Sequence, residues 1–265
     1  IKTHSEVAMS VIKVVLAGIM LVAGLSSQAA MAKEWKEIRI ATEGTYKPFS
    51  YIANGKLTGF DVDIANALCE KMKAKCNIVS QEWDGMIPGL MSGKYDAIVA
   101  SMSITPERQK KIDFTDKYYA TPARFIATKD SDIQETTPAS LKGVTVGVQG
   151  STSQATYLED NFKDTDVKMY KTVDDANMDL ANGRIDLVFS DAAILSDWMK
   201  SPEGACCKFV GGDVRDEKYF GVGKGVGVRK SDADLRDQFN AAIKAIIADG
   251  TFDRINKKYF DFSIK

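Results

Sequence analysis

Three short stretches gather side chains able to hold a small charged molecule. Thr42-Glu43-Gly44-Thr45-Tyr46-Lys47-Pro48-Phe49 offers a carboxylate and aromatic rings among turn residues. Ser101-Met102-Ser103-Ile104-Thr105-Pro106-Glu107-Arg108 offers hydroxyls and a guanidinium. Thr105 followed by Pro106 is an N-cap and first-turn pair, which puts Arg108 in the first turn of a short helix. A guanidinium there can grip a carboxylate through two parallel hydrogen bonds. Its charge opposes the helix dipole, which points to an anionic partner. Gln149-Gly150-Ser151-Thr152 is a glycine turn entering a Ser/Thr-started helix, where backbone N–H groups suit an anion. It is not a phosphate loop, because the lysine and glycine spacing of that motif is missing. Asp191 adds a second carboxylate, and Trp83 a flat apolar face before a helix start at Asp84.

The elements that must position these groups alternate between strand and helix. Ile38 to Thr42 reads as a strand, Asp61 to Met72 as a helix with Ile64, Ala65, Leu68 and Met72 on one face, and Asn77 to Ser80 as a strand. Asp84 to Met91 reads as a short helix and Ala97 to Ala100 as a short apolar strand. The order then returns: strand Val144 to Val148, helix Thr152 to Phe162, strand Val167 to Lys171, helix Asp174 to Ala181 and strand Ile185 to Phe189. Such alternation predicts an α/β fold of mainly parallel sheets covered by helices. Each candidate loop then falls at the carboxyl end of a strand, where open α/β sheets bind ligands.

The two series share a signature. Leu90-Met91-Ser92-Gly93-Lys94-Tyr95-Asp96-Ala97-Ile98-Val99 parallels Leu180-Ala181-Asn182-Gly183-Arg184-Ile185-Asp186-Leu187-Val188-Phe189. Each is a helix end, a glycine stop, a basic residue, then an acidic residue entering an apolar strand. Two similar units suggest two similar domains facing each other. No Pro/Ser-rich linker separates them, so short crossings, suited to a hinge, must join them. Leu235, Phe239, Ile243, Ile246 and Ile247 mark a C-terminal amphipathic helix closed by Gly250.

Composition narrows the function. The formal net charge of −1 supplies no basic field for nucleic acid or an anionic membrane. Lys13, the apolar run Val14 to Gly24 and the small-residue exit Ala30-Met31-Ala32 read as a secretory signal peptide cleaved after Ala32, with Met9 as a plausible start. The single histidine, His4, would leave with it. A mature chain without histidine cannot run a Ser-His-Asp or Cys-His mechanism and has no imidazole for zinc. No metal or cofactor is expected. Cys69 and Cys76 flank a short helix-to-strand loop that could close as a disulfide in an oxidising compartment. The adjacent Cys206 and Cys207 could form a vicinal bridge, stay as thiols or pair between chains.

Together these residues resemble the periplasmic solute-binding proteins that feed polar amino acids to ABC importers, most closely the lysine/arginine/ornithine-binding proteins and their histidine-, arginine- and opine-binding relatives. The resemblance spans Glu37 to Phe262. It is carried by Gly59-Phe60-Asp61-Val62-Asp63-Ile64-Ala65, Trp83-Asp84-Gly85-Met86-Ile87-Pro88, the stretch from Ser101 to Arg108, Gly147-Val148-Gln149-Gly150-Ser151-Thr152 and Gly221-Val222-Gly223. It implies a type II two-lobed binding-protein fold with crossings near Ala120-Thr121 and Phe220-Gly221. Residues 33–120 plus 221–265 would form one lobe and residues 121–220 the other. It implies a Cys69–Cys76 disulfide, a periplasmic monomer, and a membrane permease as partner. Arg108 would clamp a ligand α-carboxylate, helped by Ser103 and by backbone N–H groups of Ser101 and Thr152. Asp191 would accept the α-ammonium, Tyr46 and Trp83 would sandwich the side-chain stem, and Glu43 would meet a distal cation.

These roles suit a zwitterion, which needs one clamp of each sign. They imply a non-enzymatic receptor for a basic L-amino acid, arginine ahead of ornithine and lysine. A retained Asp191 favours a free α-ammonium over the substituted nitrogen of an opine. Ala100 stands where lysine-binding relatives often have serine. The competing readings are an opine or other polar amino-acid receptor, a sensory receptor, and an enzyme resembling the periplasmic cyclohexadienyl dehydratases, with Glu43 recruited as the acid.

Overall fold

Alternate residues of each central strand face opposite ways, and both faces are apolar, so two sheets form that are covered on both sides. The computed structural model describes residues 35–265; the expected signal peptide, residues 1–32, and His4 lie outside the described residues. The first sheet contains β1 (Glu37–Thr42), β5 (Lys75–Ser80), β6 (Ala97–Ile98), β7 (Asp113–Phe114) and β13 (Gly227–Val228). Its order is β5-β1-β6-β13-β7, parallel across β5, β1 and β6 and antiparallel beyond. Ile38 and Ile40 of β1 face one apolar cluster while Ala41 faces another.

The second sheet repeats the plan. It contains β8 (Ala123–Thr128), β9 (Thr145–Gln149), β10 (Asp166–Tyr170), β11 (Leu187–Asp191) and β12 (Cys207–Val214), in the order β10-β9-β11-β8-β12. Strands β10, β9 and β11 are parallel, and β8 is antiparallel to both its neighbours. Leu187 and Phe189 of β11 pack on one face and Val188 on the other. A small antiparallel sheet, β2 (Thr45–Tyr46), β3 (Ser50–Ala53) and β4 (Lys56–Thr58), follows β1.

Nine helices complete the described residues: α1 (Phe60–Met72), α2 (Met86–Met91), α3 (Pro106–Gln109), α4 (Ser153–Asn161), α5 (Val173–Ala181), α6 (Ala192–Trp198), α7 (Glu217–Phe220), α8 (Ala233–Ala248) and α9 (Thr251–Tyr259). Threonine caps start three of them. Thr105 accepts from the Arg108 N–H, Thr152 from Ala155 and Thr172 from Asp175. Helix α1 buries Ile64, Ala65 and Leu68, and α8 buries Leu235, Phe239, Ile243 and Ile246. The helix expected from Asp84 begins instead as a 3-10 turn, Trp83–Gly85, before α2. Pro88 has no N–H to return to the Asp84 carbonyl, so the α pattern cannot start there. Strand β11 runs two residues further than the apolar run, and Asp191 is its last residue. Cys69 and Cys76 are joined by a disulfide, and so are the adjacent Cys206 and Cys207.

The chain passes between the sheets twice, after β7 and before β13. The two crossings pair with each other: Lys224 N–H donates to the Tyr119 carbonyl at 2.8 Å and Tyr118 N–H to the Lys224 carbonyl at 3.0 Å. Lys224 also bridges to Ser103. Gly221 opens the second crossing with φ of 63°. A Cβ there would collide with the Ile104 carbonyl, which is backbone and cannot rotate away. Gly221→Ala is therefore expected to cost more than about 1 kcal/mol. In a chain of this size that lowers Tm by roughly 2–4 °C per kcal/mol, read by thermal unfolding followed by circular dichroism.

Candidate ligand-binding site

The carboxyl ends of β1, β6, β9 and β11 converge on one cavity. Glu43, Tyr46, Trp83, Ser101, Ser103 and Arg108 line it from the first sheet, and Thr152 and Asp191 from the second. All eight residues singled out from the sequence thus meet around one space.

Arg108 is half-buried on α3. Its Nη1 donates to the Ser103 carbonyl at 3.1 Å, and its guanidinium carbon lies 5.2 Å from the Trp83 ring centre. That contact is a cation–π interaction, which fixes the plane of the fork. Among the described residues no carboxylate forms an ion pair with Arg108. Burial pulls its pKa down to about 10, against the opposing charge of Asp191, so it remains cationic at neutral pH. The remaining donors of the fork suit a carboxylate.

Asp191 is only 3% exposed. Its Oδ2 accepts from Tyr46 Oη at 2.8 Å and from Lys224 Nζ at 3.0 Å, and its Oδ1 accepts from Thr121 Oγ1 at 2.9 Å. Burial first, then the Asp191 charge, lifts the Tyr46 hydroxyl well above its ordinary range, so it stays a donor. Lys224 was not among the expected site residues. It is 5% exposed, lines the cavity, and also donates to Ser103 Oγ at 3.0 Å. Its signal lies in the stretch Gly221-Val222-Gly223-Lys224-Gly225-Val226-Gly227, where one charge interrupts a run of glycine and valine.

Glu43 is 5% exposed and lies across the same cavity. Its Oε1 accepts from Gln149 Nε2 at 2.8 Å and from Thr45 Oγ1 at 3.2 Å. Burial pushes its pKa up to about 7, with the Gln149 and Thr45 bonds holding it lower than burial alone would. Gln149 was expected only as part of a backbone turn, yet its side chain reaches across from the second sheet.

The hydroxyls of Ser101 and Thr152, from which only backbone donors were expected, are used within the protein. The Ser101 hydroxyl turns to Asp61, donating to Oδ2 at 2.7 Å, so Ser101 has only backbone to offer a ligand. Ser101 has φ of 53°, the left-handed backbone that permits this turn. Thr152 uses its hydroxyl as the cap of α4 and donates to the Gln149 carbonyl at 2.7 Å, which likewise leaves its backbone. Trp83 spans the two sheets' loops, with Nε1 donating to the Ser151 carbonyl at 2.9 Å.

A cavity shared between the loops of two similar α/β units, lined by Arg108 from one and Asp191 from the other, has a counterpart among known proteins. The bacterial extracellular solute-binding proteins, family 3, match residues 38–262. The chain belongs to this family. Its family 3 relatives include the lysine/arginine/ornithine-binding periplasmic protein of Escherichia coli, 45% identical over 252 residues, 93% of this chain and 96% of that one. The histidine-binding periplasmic protein of Salmonella typhimurium is 44% identical over 256 residues, 95% of this chain and 98% of that one. Among solved structures, an arginine-specific periplasmic binding protein of Salmonella typhimurium superposes with a TM-score of 0.79 at 32% identity, covering 85% of this chain and 99% of that one.

The Glu43 environment in this family 3 protein makes stability depend on pH. A carboxyl whose folded pKa, about 7, lies above its ordinary 4.5 binds its proton more tightly when folded. Its contribution is fully present below the ordinary value and is lost as pH rises through the folded one. Glu43→Gln mimics the protonated form. Without added ligand it should match the wild-type Tm near pH 5 and exceed it near pH 8, in thermal scans at both values.

Proposed function

We propose that this protein is an extracytoplasmic receptor that captures a basic L-amino acid by hinge closure and delivers it to an ABC importer. The observation that carries this reading is that Arg108 and Asp191, of opposite charge and from different sheets, line one cavity with the buried carboxyl of Glu43. Arg108 takes the α-carboxylate, with Ser103 and the backbone N–H groups of Ser101 and Thr152 around it. Asp191 faces the α-nitrogen. Tyr46 and Trp83 flank the side-chain stem, and Glu43 meets the distal cation, with arginine preferred over ornithine and lysine. The relatives' names, which describe proteins that bind cationic amino acids or histidine, support this class.

The two lobes of this reading are residues 33–120 with 221–265, and residues 121–220, hinged at the paired crossings. Residues 1–32 act as a signal peptide, and the mature monomer works in the periplasm. The cavity serves binding and not catalysis: Glu43 is the one acid facing the expected position of a ligand tail, and its partners are an amide and a hydroxyl rather than a second titrating group. A dehydratase would need an acid at the leaving group. Turnover of arogenate or prephenate by the purified protein would overturn the receptor reading.

Calorimetry against the standard amino acids should give arginine the tightest binding, with Kd of about 1 μM or lower, equivalent to about −8 kcal/mol. Arg108→Ala should abolish detectable heat for every ligand. A cationic tail stabilises ionised Glu43, so affinity should rise between about pH 6 and 8, with a proton released on binding, and level off above the Glu43 pKa of about 7. Glu43→Gln should flatten that pH dependence and weaken arginine more than a neutral amino acid. No heat with any cationic amino acid would reject this specificity.

A further inference from the structure

A buried acid behind the cavity wall completes the charge pattern inside it. Asp61, in the first turn of α1, is fully buried and is not among the residues that line the cavity. Its Oδ2 accepts from Ser101 Oγ at 2.7 Å and its Oδ1 from Tyr118 Oη at 2.9 Å. Ser101 belongs to the loop that leads to Ser103 and Arg108. Tyr118 belongs to the first crossing, and its N–H donates to the Lys224 carbonyl at 3.0 Å. Burial raises the Asp61 pKa to about 6, while the Ser101 and Tyr118 bonds and then the charge of Lys224 hold it lower than burial alone would. Asp61 is therefore ionised near pH 8. Lys224 thus answers to two carboxylates: it pairs with Asp191 at 3.0 Å and feels the charge of Asp61.

The charges at this end of the cavity then cancel. Arg108 and Lys224 are positive, and Asp191 and Asp61 are negative. The other buried acids act elsewhere: Asp96 pairs with Arg39 and Arg229, and Glu43 meets Gln149 and Thr45 across the cavity. The α end of an amino acid is itself neutral, one carboxylate and one ammonium. It enters a balanced site without leaving unmatched charge, which is strongly unfavourable in a dry interior. Without Asp61 the same end would carry one extra positive charge. It would oppose the α-ammonium and favour a ligand that brings a carboxylate alone.

We propose that Asp61 is a specificity-determining residue that acts through Lys224, its charge offsetting the lysine's so that the site accepts a free α-ammonium beside the α-carboxylate. This rests on the reading of the cavity as a receptor site for a basic amino acid. Asp61 does so from behind the Ser101 loop, as a positioning residue that touches no ligand.

The test compares L-arginine with δ-guanidinovalerate, which keeps the carboxylate and the guanidinium but lacks the α-nitrogen, by calorimetry of the ligand-stripped protein near pH 8. The wild type should bind arginine more tightly. Asp61→Asn should shift the ratio of the two affinities at least about tenfold toward the deaminated ligand, equivalent to about 1.4 kcal/mol. Lys224→Met removes the opposite charge and should shift the ratio the other way, and the double variant should return it toward the wild-type value. A merely structural defect weakens both ligands, which differ only in the nitrogen, and is not reversed by a second substitution. Where Asp61→Asn alone is too unstable to titrate, the same tenfold shift is read between Lys224→Met and the double variant, in which no lysine is left unmatched. A wild type that prefers the deaminated ligand, or a ratio that stays fixed or moves the other way when Asp61 is replaced, overturns the role of Asp61 and leaves the basic amino-acid receptor intact. Absence of binding of both compounds by the wild type overturns both.

Discussion

A buried carboxylate must be satisfied by the protein around it, and the organisation of this molecule follows from how Asp191 is satisfied. Its oxygens collect Tyr46 from the loop after β1, Thr121 from the first crossing and Lys224 from the second. Every route by which the chain joins one sheet to the other therefore ends on the same side chain. Removing one member of such a buried pair costs several kcal/mol, because the survivor is left charged and dry. The crossings and the cavity are thus not separable parts: the segments that join the two sheets also supply the partners of a buried carboxylate in the cavity.

The loops of the two sheets meet through two unequal sets of contacts. At the rim, Lys171 reaches Glu82 at 2.6 Å and Lys47 reaches Asp197 at 3.3 Å, bringing the two sheets' loops together in solvent. Lys171 and Glu82 are 66% and 72% exposed, and such pairs contribute at most about 1 kcal/mol each. Inside, Gln149 meets Glu43 and Tyr46 meets Asp191, where little water remains to compete. A ligand shifts the balance toward the closed form only by the difference between its affinities for the two forms. That difference must come from the interior, because only there do groups from both sheets face the same molecule. The rim pairs, set in solvent, add little free energy.

Local rules made much of this legible in the sequence. The Thr105-Pro106 start of α3 follows from the chemistry of its own residues, as does the apolar stripe of α1, and the strand-end position of the loops follows from βα alternation. Element limits were less legible. Strand β11 extends through the polar pair Ser190 and Asp191 because antiparallel pairing with β8 continues there, and hydrophobicity does not report pairing. Side-chain direction was the least legible property. The Ser101 hydroxyl answers to Asp61, 40 residues earlier, and Lys224 to Asp191 and Ser103, 33 and 121 residues earlier. A pattern of neighbours cannot encode a partner that only the crossings bring near. The expected role of Asp191 was drawn without Lys224, whose bond to it only the folded crossings create.

Lys224 also ties the second crossing to the loop that carries Arg108. Arg108 is held by its own helix start, by the Ser103 carbonyl and by the Trp83 ring, and Ser103 is itself bridged to Lys224 and accepts from its ammonium. Glu43 is likewise held by Thr45 and Gln149. The partners of Glu43 thus lie apart from the second crossing, whereas those of Arg108 do not. A substitution at position 224 therefore acts on Asp191 and on the Ser103 loop together, with Tyr46 and Thr121 left to satisfy Asp191. The crossing can tolerate such a change because its backbone is fixed by hydrogen bonds to Tyr119 and Met102 and by its glycines, not by the side chain at 224. One residue of the second crossing thus couples the setting of Asp191 to the position of the Ser103 carbonyl on which Arg108 rests.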